Sequence, residues 1–209
     1  MKRGRFITVE GIEGVGKSSN IDTLVAHIES AGIEVLTTRE PGGTPVAEEI
    51  RNLLMHHGDE AVPEIAELLL MFAARSFNVR NVIQPALEAG KWVVCDRFTD
   101  SSRAYQGGGR GLPMDIIDQL AEWVHGDVRP DLTLLLDAPV QVGMARANHR
   151  GSPDRIESEQ HEFFERVREC YLNLAVREPG RFVVIDTARS LEEVQADVGR
   201  LAQRLLSEN

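Results

Sequence analysis

A glycine-rich loop near the start of the chain constrains its fold more than any other segment. Residues 11–18 match the pattern G-x-x-x-x-G-K-[ST] in full, and they are Gly11, Ile12, Glu13, Gly14, Val15, Gly16, Lys17 and Ser18. An apolar run precedes the loop at 6–9, and helical spacing of apolar residues follows it. In such a loop, backbone N–H groups surround phosphate oxygens, the lysine reaches the outer phosphates and the hydroxyl ligates Mg²⁺. The sequence therefore predicts a nucleoside triphosphate site between a strand and a helix.

Strand-like and helix-like segments alternate along the rest of the chain. The predicted strands are 6–9, 33–37, 91–96, 131–137 and 182–185. The predicted helices are 21–28, 46–54, 65–90 with Pro85 as a kink, 116–124, 140–149, 163–174 and 191–205. Nearly continuous apolar strands that alternate with helices indicate a parallel sheet with both faces covered. We therefore expect an α/β fold of the P-loop NTPase type, with about five strands.

Composition narrows the possible partners. A length of 209 residues favours one domain over residues 1–209, and the net charge of −10 argues against nucleic acid or an acidic membrane surface. The longest apolar run, 68–74, is too short to span a bilayer, and no signal peptide is expected. Cys95 and Cys170 suggest neither a disulfide framework nor a zinc site, and Cys95 is expected to be a buried thiol. We expect a cytoplasmic protein.

The phosphate loop alone leaves several classes of protein open. GTPase switches, motors, transporter ATPases and small-molecule kinases all contain one. The chain lacks the N-K-x-D motif that reads guanine, and it is too short for the additional parts of a motor or transporter. Arg39 and Arg97 each directly follow a strand that is predicted to be parallel to the phosphate-loop strand. Ligands bind at the carboxyl ends of such strands, so two arginines there favour a second, phosphorylated ligand facing the triphosphate.

Further motifs give the chain a specific resemblance. They comprise the phosphate loop with Glu13, Arg-Glu-Pro-Gly-Gly-Thr at 39–44, Leu-Met-Phe-Ala-Ala-Arg at 70–75, Asp-Arg at 96–97, Ala-Tyr-Gln-Gly-Gly-Gly-Arg-Gly at 104–111, Arg-Pro-Asp-Leu at 129–132 and Asp-Arg-Ile-Glu at 154–157. With these motifs the chain resembles the thymidylate kinase family over nearly its whole length. The resemblance implies a nucleoside monophosphate kinase architecture. It also implies transfer of the ATP γ-phosphoryl group to dTMP, which gives dTDP and ADP in dTTP biosynthesis.

The resemblance also implies roles for residues around the base and sugar. Phe72 would stack on thymine and Arg75 would donate a hydrogen bond to a base carbonyl, although the residue pattern alone favours a core position for Phe72. Ser102 and Gln106 match polar positions around the base. Tyr105 matches a ring packed under the deoxyribose, where a 2′-hydroxyl would be crowded out.

The resemblance further implies roles at the phosphates. Arg97 would bind the dTMP phosphate with Arg39 in the same pocket, and Asp96 would lie beside the reacting phosphates. We expect Ser18 and Asp96 to hold Mg²⁺. Catalysis is expected to be alignment and charge neutralisation without a strong general base, because the acceptor oxygen is already ionised.

Two acidic residues flank or lie within the phosphate loop. A carboxylate inside a phosphate-binding loop is repelled by its ligand, so Glu13 needs a polar task that offsets the repulsion. Accepting a hydrogen bond from the 3′-hydroxyl of the nucleotide sugar, or holding Mg²⁺ through water, would offset it, and the resemblance implies the contact with the sugar. For Glu10 we expect a simpler role in capping the loop.

A polar segment at 146–156 contains Gly and Pro, breaks the helical pattern and resembles the family's lid. Some thymidylate kinases carry an arginine directly after the loop acid, where this chain has Gly14. We therefore expect a lid arginine to meet the transferring group, with Arg150 as the first choice. Arg146, which we also expect at the ATP site, and Arg155 follow.

Alternatives remain open on the sequence alone. The chain could be a kinase for another nucleoside monophosphate, a P-loop NTPase switch without a second substrate, or a catalytically silent nucleotide-binding module. The family resemblance also implies a homodimer, with ATP and dTMP as the only small-molecule partners.

Overall fold

A computed structural model describes residues 3–55, 61–148 and 155–208. Within these ranges the chain forms one parallel sheet of five strands in the order β2-β3-β1-β4-β5. The strands are β1 (Phe6–Glu10), β2 (Val35–Arg39), β3 (Trp92–Asp96), β4 (Leu132–Asp137) and β5 (Phe182–Asp186). The predicted five-stranded parallel sheet is confirmed.

Helices connect the strands and cover both faces of the sheet. They are α1 (Lys17–Ser30), α2 (Pro45–Met55), α3 (Glu64–Asn78), α4 (Gln84–Glu88), α5 (Thr99–Ser102), α6 (Met114–His125), α7 (Val140–Asn148), α8 (His161–Arg177) and α9 (Leu191–Ser207). The largest apolar cluster lies between the sheet and helices α1, α8 and α9. No helix in the described ranges combines the length and the apolar character that crossing a membrane requires.

Two predicted elements differ in detail from the structure. The expected break near Pro85 is a π-helical turn, Val79–Ile83, which joins α3 to α4 and leaves Pro85 in the first turn of α4. Proline has no N–H to donate and disturbs the helix before it, and a wide turn accommodates both effects. The second strand lies two residues later than predicted, because β2 is an edge strand whose polar residues pair with β3.

The sheet order places the phosphate loop beside the segment that follows β3. Val9 is in register with Asp96, and the backbone N–H of Arg97 donates to the carbonyl of Val9 over 3.0 Å. Arg39 at the end of β2 is in register with Asp96 on the other side of β3. The carboxyl ends of β1, β2 and β3 therefore meet at one edge, which is where parallel sheets bind ligands.

Candidate active site

The phosphate loop has a left-handed backbone, which favours glycine, at Gly14 and Gly16. Gly14 and Gly16 have φ angles of 74° and 86°, in the left-handed region. A side chain at Gly14 would also clash with the backbone carbonyl of Gly143 on α7. This close approach is the physical reason why the loop carries no arginine directly after Glu13.

Lys17 lies folded back along the loop. Its ammonium group donates to the carbonyl oxygens of Gly11 and Ile12 over 3.1 Å and 3.0 Å. Burial, together with the nearby charge of Arg97, lowers the pKa of Lys17 from 10.5 to about 8. A triphosphate in the loop would supply the negative charge that this lysine lacks.

One cavity brings together most of the predicted site residues. It runs from the phosphate loop to the segment after β3 and is lined by Glu13, Gly14, Gly16, Lys17, Ser18, Arg75, Asp96, Arg97, Ser102, Tyr105 and Gln106. Gly11, Ile12 and Val15 complete the loop behind this surface. Phosphate-binding groups thus occupy one end of the cavity and the polar side chains expected around the base line another part.

Arg97 is fixed at the centre of the cavity. Its φ angle of 68° is unusual for a residue with a side chain. The guanidinium donates to the carbonyl of Gly11 over 2.9 Å and to the carboxylate of Glu13 over 2.7 Å. The Tyr105 hydroxyl also donates to Glu13, over 2.7 Å, and the guanidinium lies 4.9 Å from the centre of the Tyr105 ring. Glu13 therefore orients both the arginine and the tyrosine.

Glu10 makes contacts that differ from the expected capping of the phosphate loop. Instead of capping the phosphate loop, its buried carboxylate accepts hydrogen bonds from the backbone of Phe98 over 2.8 Å, from Ser101 over 2.6 Å and from Tyr171 over 2.8 Å. Both hydroxyls also accept weak hydrogen bonds from the Arg97 guanidinium. Burial and the proximity of Asp100 raise the pKa of Glu10 to about 7. Glu10 thus supports the segment that carries Arg97.

The base end of the cavity is formed by buried donors tied to buried acids. Arg75 is 2% exposed; its Nε donates to Glu40 over 2.6 Å and its Nη2 donates to Ser102 over 3.1 Å. Gln106 donates to Glu67 over 2.8 Å. These contacts fix the donors before any ligand enters.

Phe72 does not line this cavity. It is buried in the core, its ring lies 4.5 Å from the Arg75 guanidinium, and its cluster contains Leu68, Ile117 and Ala121. Met71 lines the cavity in its place. Residues four apart share a helix face as well as residues three apart, so the spacing of Met71 to Arg75 was a signal that the sequence analysis missed.

Arg39 also lies outside the cavity, contrary to the expectation that it shares the phosphate pocket. Its side chain is more than half exposed and pairs with Glu48 over 2.9 Å. Arg51, which the sequence analysis did not single out, lines the cavity and donates to the carbonyl of Pro41 over 3.0 Å. The edge position of β2 leaves Arg39 at the surface, although its backbone is in register with Asp96.

The predicted lid arginines have different environments. Arg146 on α7 donates to the carbonyl of Thr187 over 2.8 Å. Arg155 donates to the buried Glu67 over 2.6 Å. Arg150 and most of the predicted lid lie outside the described residues.

Asp96 offers an oxygen suited to a hard cation. Its Oδ1 is buried and has no hydrogen-bond partner in the part of the chain that the structure describes, and Ser18 lies in the first turn of α1. The same ranges contain no cluster of three or more His, Cys, Asp or Glu side chains that could hold a metal alone. Magnesium commonly takes one or two protein oxygens together with phosphates and water, so these two residues fit it.

The central phosphate loop, the parallel sheet and the adjoining cavity define a P-loop kinase fold of the nucleoside monophosphate kinase type. The family model described as thymidylate kinase matches residues 9–198. The chain belongs to the thymidylate kinase family, whose members phosphorylate dTMP with ATP.

Individual relatives agree over the whole chain. A thymidylate kinase of Methylococcus capsulatus is 54% identical over 207 residues, covering 99% of each chain, and one of Pseudomonas syringae pv. tomato is 53% identical over 203 residues, covering 97% of each. The crystal structure of thymidylate kinase from Ehrlichia chaffeensis is similar with a TM-score of 0.77 and 35% identity, covering 96% of this chain and 99% of that one.

Proposed function

We propose that this protein transfers the γ-phosphoryl group of ATP to dTMP, giving dTDP and ADP for dTTP synthesis. The observation that carries this proposal is the shared cavity, in which Lys17 and Ser18 at the phosphate loop face the same space as Arg97 and Arg75. Two nucleotides bound there would have their phosphates between Lys17 and Arg97. Catalysis is then alignment and charge neutralisation, because the acceptor oxygen needs no general base.

Arg97 binds the acceptor phosphate in this proposal. Its planar guanidinium suits two parallel hydrogen bonds to a phosphate. The contacts to Gly11 and Glu13 fix the guanidinium beside the phosphate loop before dTMP arrives. Pre-organisation of this kind reduces the entropy lost when the two phosphates are aligned.

The phosphate loop, residues 11–18, holds the outer phosphates of ATP. Arg146 is a further candidate for the ATP side, because it lies on α7, the helix whose Gly143 contacts the loop at Gly14. Ser18 and Asp96 would hold a Mg²⁺ ion that arrives with ATP, and that ion would neutralise charge on the phosphates.

The base lies against the buried donors. Arg75, supported by Ser102, donates to a thymine carbonyl, and Gln106 lies close to the base edge. Met71 provides the apolar wall because it lines the cavity. Phe72 stacks against Arg75 from the core side, and its predicted contact with thymine stays a prediction.

Tyr105 and Glu13 form the sugar site. The Tyr105 hydroxyl donates to Glu13, which leaves the Glu13 carboxylate able to accept a further hydrogen bond from a 3′-hydroxyl. The Tyr105 ring would pack under the deoxyribose and crowd out a 2′-hydroxyl. The same acid thereby links the sugar to Arg97 and the phosphate.

We further propose a single cytoplasmic domain, residues 1–209 with a lid at 146–156, that acts as a homodimer. Three helices carry exposed apolar side chains, and α3 contacts both α2 and α6; the side chains are Leu53, Ile65, Leu69, Phe77, Met114, Ile116 and Trp123. Exposed apolar side chains on helices in contact support an interface at this surface. Sedimentation should show a dimer that Leu69→Glu dissociates, whereas the control Val176→Glu on α8 should leave it intact.

A coupled assay of ADP release tests the proposed reaction. ADP should appear only when ATP, Mg²⁺ and dTMP are all present. Lys17→Ala should remove most or all of this activity, and an unchanged far-UV circular dichroism spectrum should show that the variant is folded. ADP release at the same rate without dTMP would instead indicate an NTPase switch.

A further inference from the structure

Glu40 and Arg75 form an ion pair that is almost fully removed from solvent. Their side chains are 4% and 2% exposed, and the Glu40 carboxylate accepts a hydrogen bond from Arg75 Nε over 2.6 Å. Burial raises the pKa of Glu40, against the opposing effects of Arg75 and Asn78. A buried ion pair adds little net stability compared with apolar residues, so stability alone does not account for this pair.

A chain of hydrogen bonds also fixes the Glu40 carboxylate through its second oxygen. The Thr38 hydroxyl donates to Asn78 over 2.9 Å, and the Asn78 amide donates to the second oxygen of Glu40 over 3.3 Å. The backbone N–H of Glu40 donates to the carbonyl of Asp96 over 2.9 Å, which ties this residue to the end of β3. Glu40 therefore has a defined position on both sides.

The donors of Arg75 are divided by these contacts. Nε is held by Glu40 and Nη2 by Ser102, whereas Nη1 is buried and has no partner within the described ranges. Both Arg75 and Glu40 line the cavity. The pair thus leaves Nη1 as an N–H donor without a partner on a residue that lines the cavity, and Glu40 balances the charge of the guanidinium.

We propose that Glu40 is a positioning residue that determines base selectivity through Arg75. The inference rests on the proposed function, since it concerns the base of the acceptor nucleotide. A fixed N–H donor can donate to a thymine carbonyl, but it faces a second donor when cytosine carries its exocyclic amine at the same ring position. A guanidinium freed from Glu40 could rotate, present a different edge and lose this discrimination.

Glu40→Gln tests the proposal with little change of volume. The glutamine has one acceptor oxygen for two donors, Arg75 and Asn78, so the charge-assisted hold on the guanidinium is lost. We expect the ratio of kcat/KM for dTMP to that for dCMP to fall about tenfold or more, mainly because KM for dTMP rises. KM for ATP should stay the same, because the phosphate loop is not altered.

The matched control is Asp100→Asn. Asp100 is another buried acid; it pairs with Arg181 and Arg103 and lies outside the cavity. This variant should lose stability but keep the selectivity ratio of the unmodified protein. An effect of general destabilisation would lower the ratio equally in both variants and would overturn the proposal.

A second variant decides the matter if Glu40→Gln does not fold. Asn78→Ala loosens Glu40 and keeps its charge, and a fall of the ratio by threefold or more would support the proposal. An unchanged ratio in the folded variants would overturn it while the proposed function stands. Failure of the unmodified protein to phosphorylate dTMP would overturn both.

Discussion

Arg97 allows the backbone and the side chain of one residue to be tested separately. Arg97→Ala removes two charge-assisted hydrogen bonds to the acceptor phosphate, each worth about 1.5–3 kcal/mol. The loss of about 3–6 kcal/mol corresponds to a fall in kcat/KM of roughly 10² to 10⁴. Arg97→Gly should lose the same activity, because glycine also lacks the guanidinium.

The two variants should differ in stability. Alanine at a φ angle of 68° carries a left-handed strain of about 1–2 kcal/mol that glycine avoids. Glycine in turn lowers the stability by about 0.4–1 kcal/mol, because the unfolded chain has more conformational freedom with glycine than with alanine. Arg97→Gly should therefore be the more stable variant, by about 0.8 kcal/mol at the middle of these ranges, or about 2 °C in Tm for a chain of this size.

Steady-state kinetics and thermal unfolding of both variants provide the measurement. Both should be inactive and folded, with the glycine variant melting at the higher temperature. Activity of Arg97→Ala within tenfold of the unmodified protein would refute the phosphate role. A less stable glycine variant would refute the strain argument.

Further predictions concern charge. Lys17 has a pKa of about 8, and bound phosphates should raise it, so ATP binding at pH 9 should be accompanied by proton uptake. Calorimetry in two buffers of different ionisation enthalpy measures this uptake. The absence of proton uptake would contradict the prediction. The pKa of Glu10 in the folded protein, about 7, exceeds its value in the unfolded chain, so the free energy of unfolding should fall as the pH rises from 5 to 8. Urea unfolding across this pH range should show that Glu10→Gln removes this part of the pH dependence. An unchanged pH dependence in this variant would contradict the prediction. Arg150→Ala should lower kcat by about 10³ with little change in dTMP binding by calorimetry. If kcat falls less than tenfold in Arg150→Ala and also in the Arg146 and Arg155 variants, a catalytic role for a lid arginine is excluded.

The fold could be predicted because its signals are local. Apolar runs between turn residues identified all five strands, and the glycine pattern located the loop that organises them. The second strand was misplaced by two residues because polar side chains such as Thr37 and Thr38 pair normally at a sheet edge. Local periodicity carries no information on which strand is at the edge.

The site was less predictable because its supports are distant in sequence. Glu40 meets Arg75 35 positions later, and Glu10 meets Ser101 91 positions later. Each is a lone acid in the sequence, with no spacing that points to its partner. Met71 shows the other limit, since a helix face admits residues three and four apart and only packing decides between them.

A competition between acceptor nucleotides tests the proposed selectivity for dTMP most directly. The protein is incubated with ATP, Mg²⁺ and equal concentrations of dTMP, dCMP, dGMP and AMP, and the diphosphates formed are identified by mass. We expect dTDP to form far faster than dCDP or dGDP, AMP to stay unconsumed, and Arg75→Leu to lose this preference. Consumption of AMP, or formation of dCDP, at the same rate as formation of dTDP would contradict the proposed selectivity for dTMP.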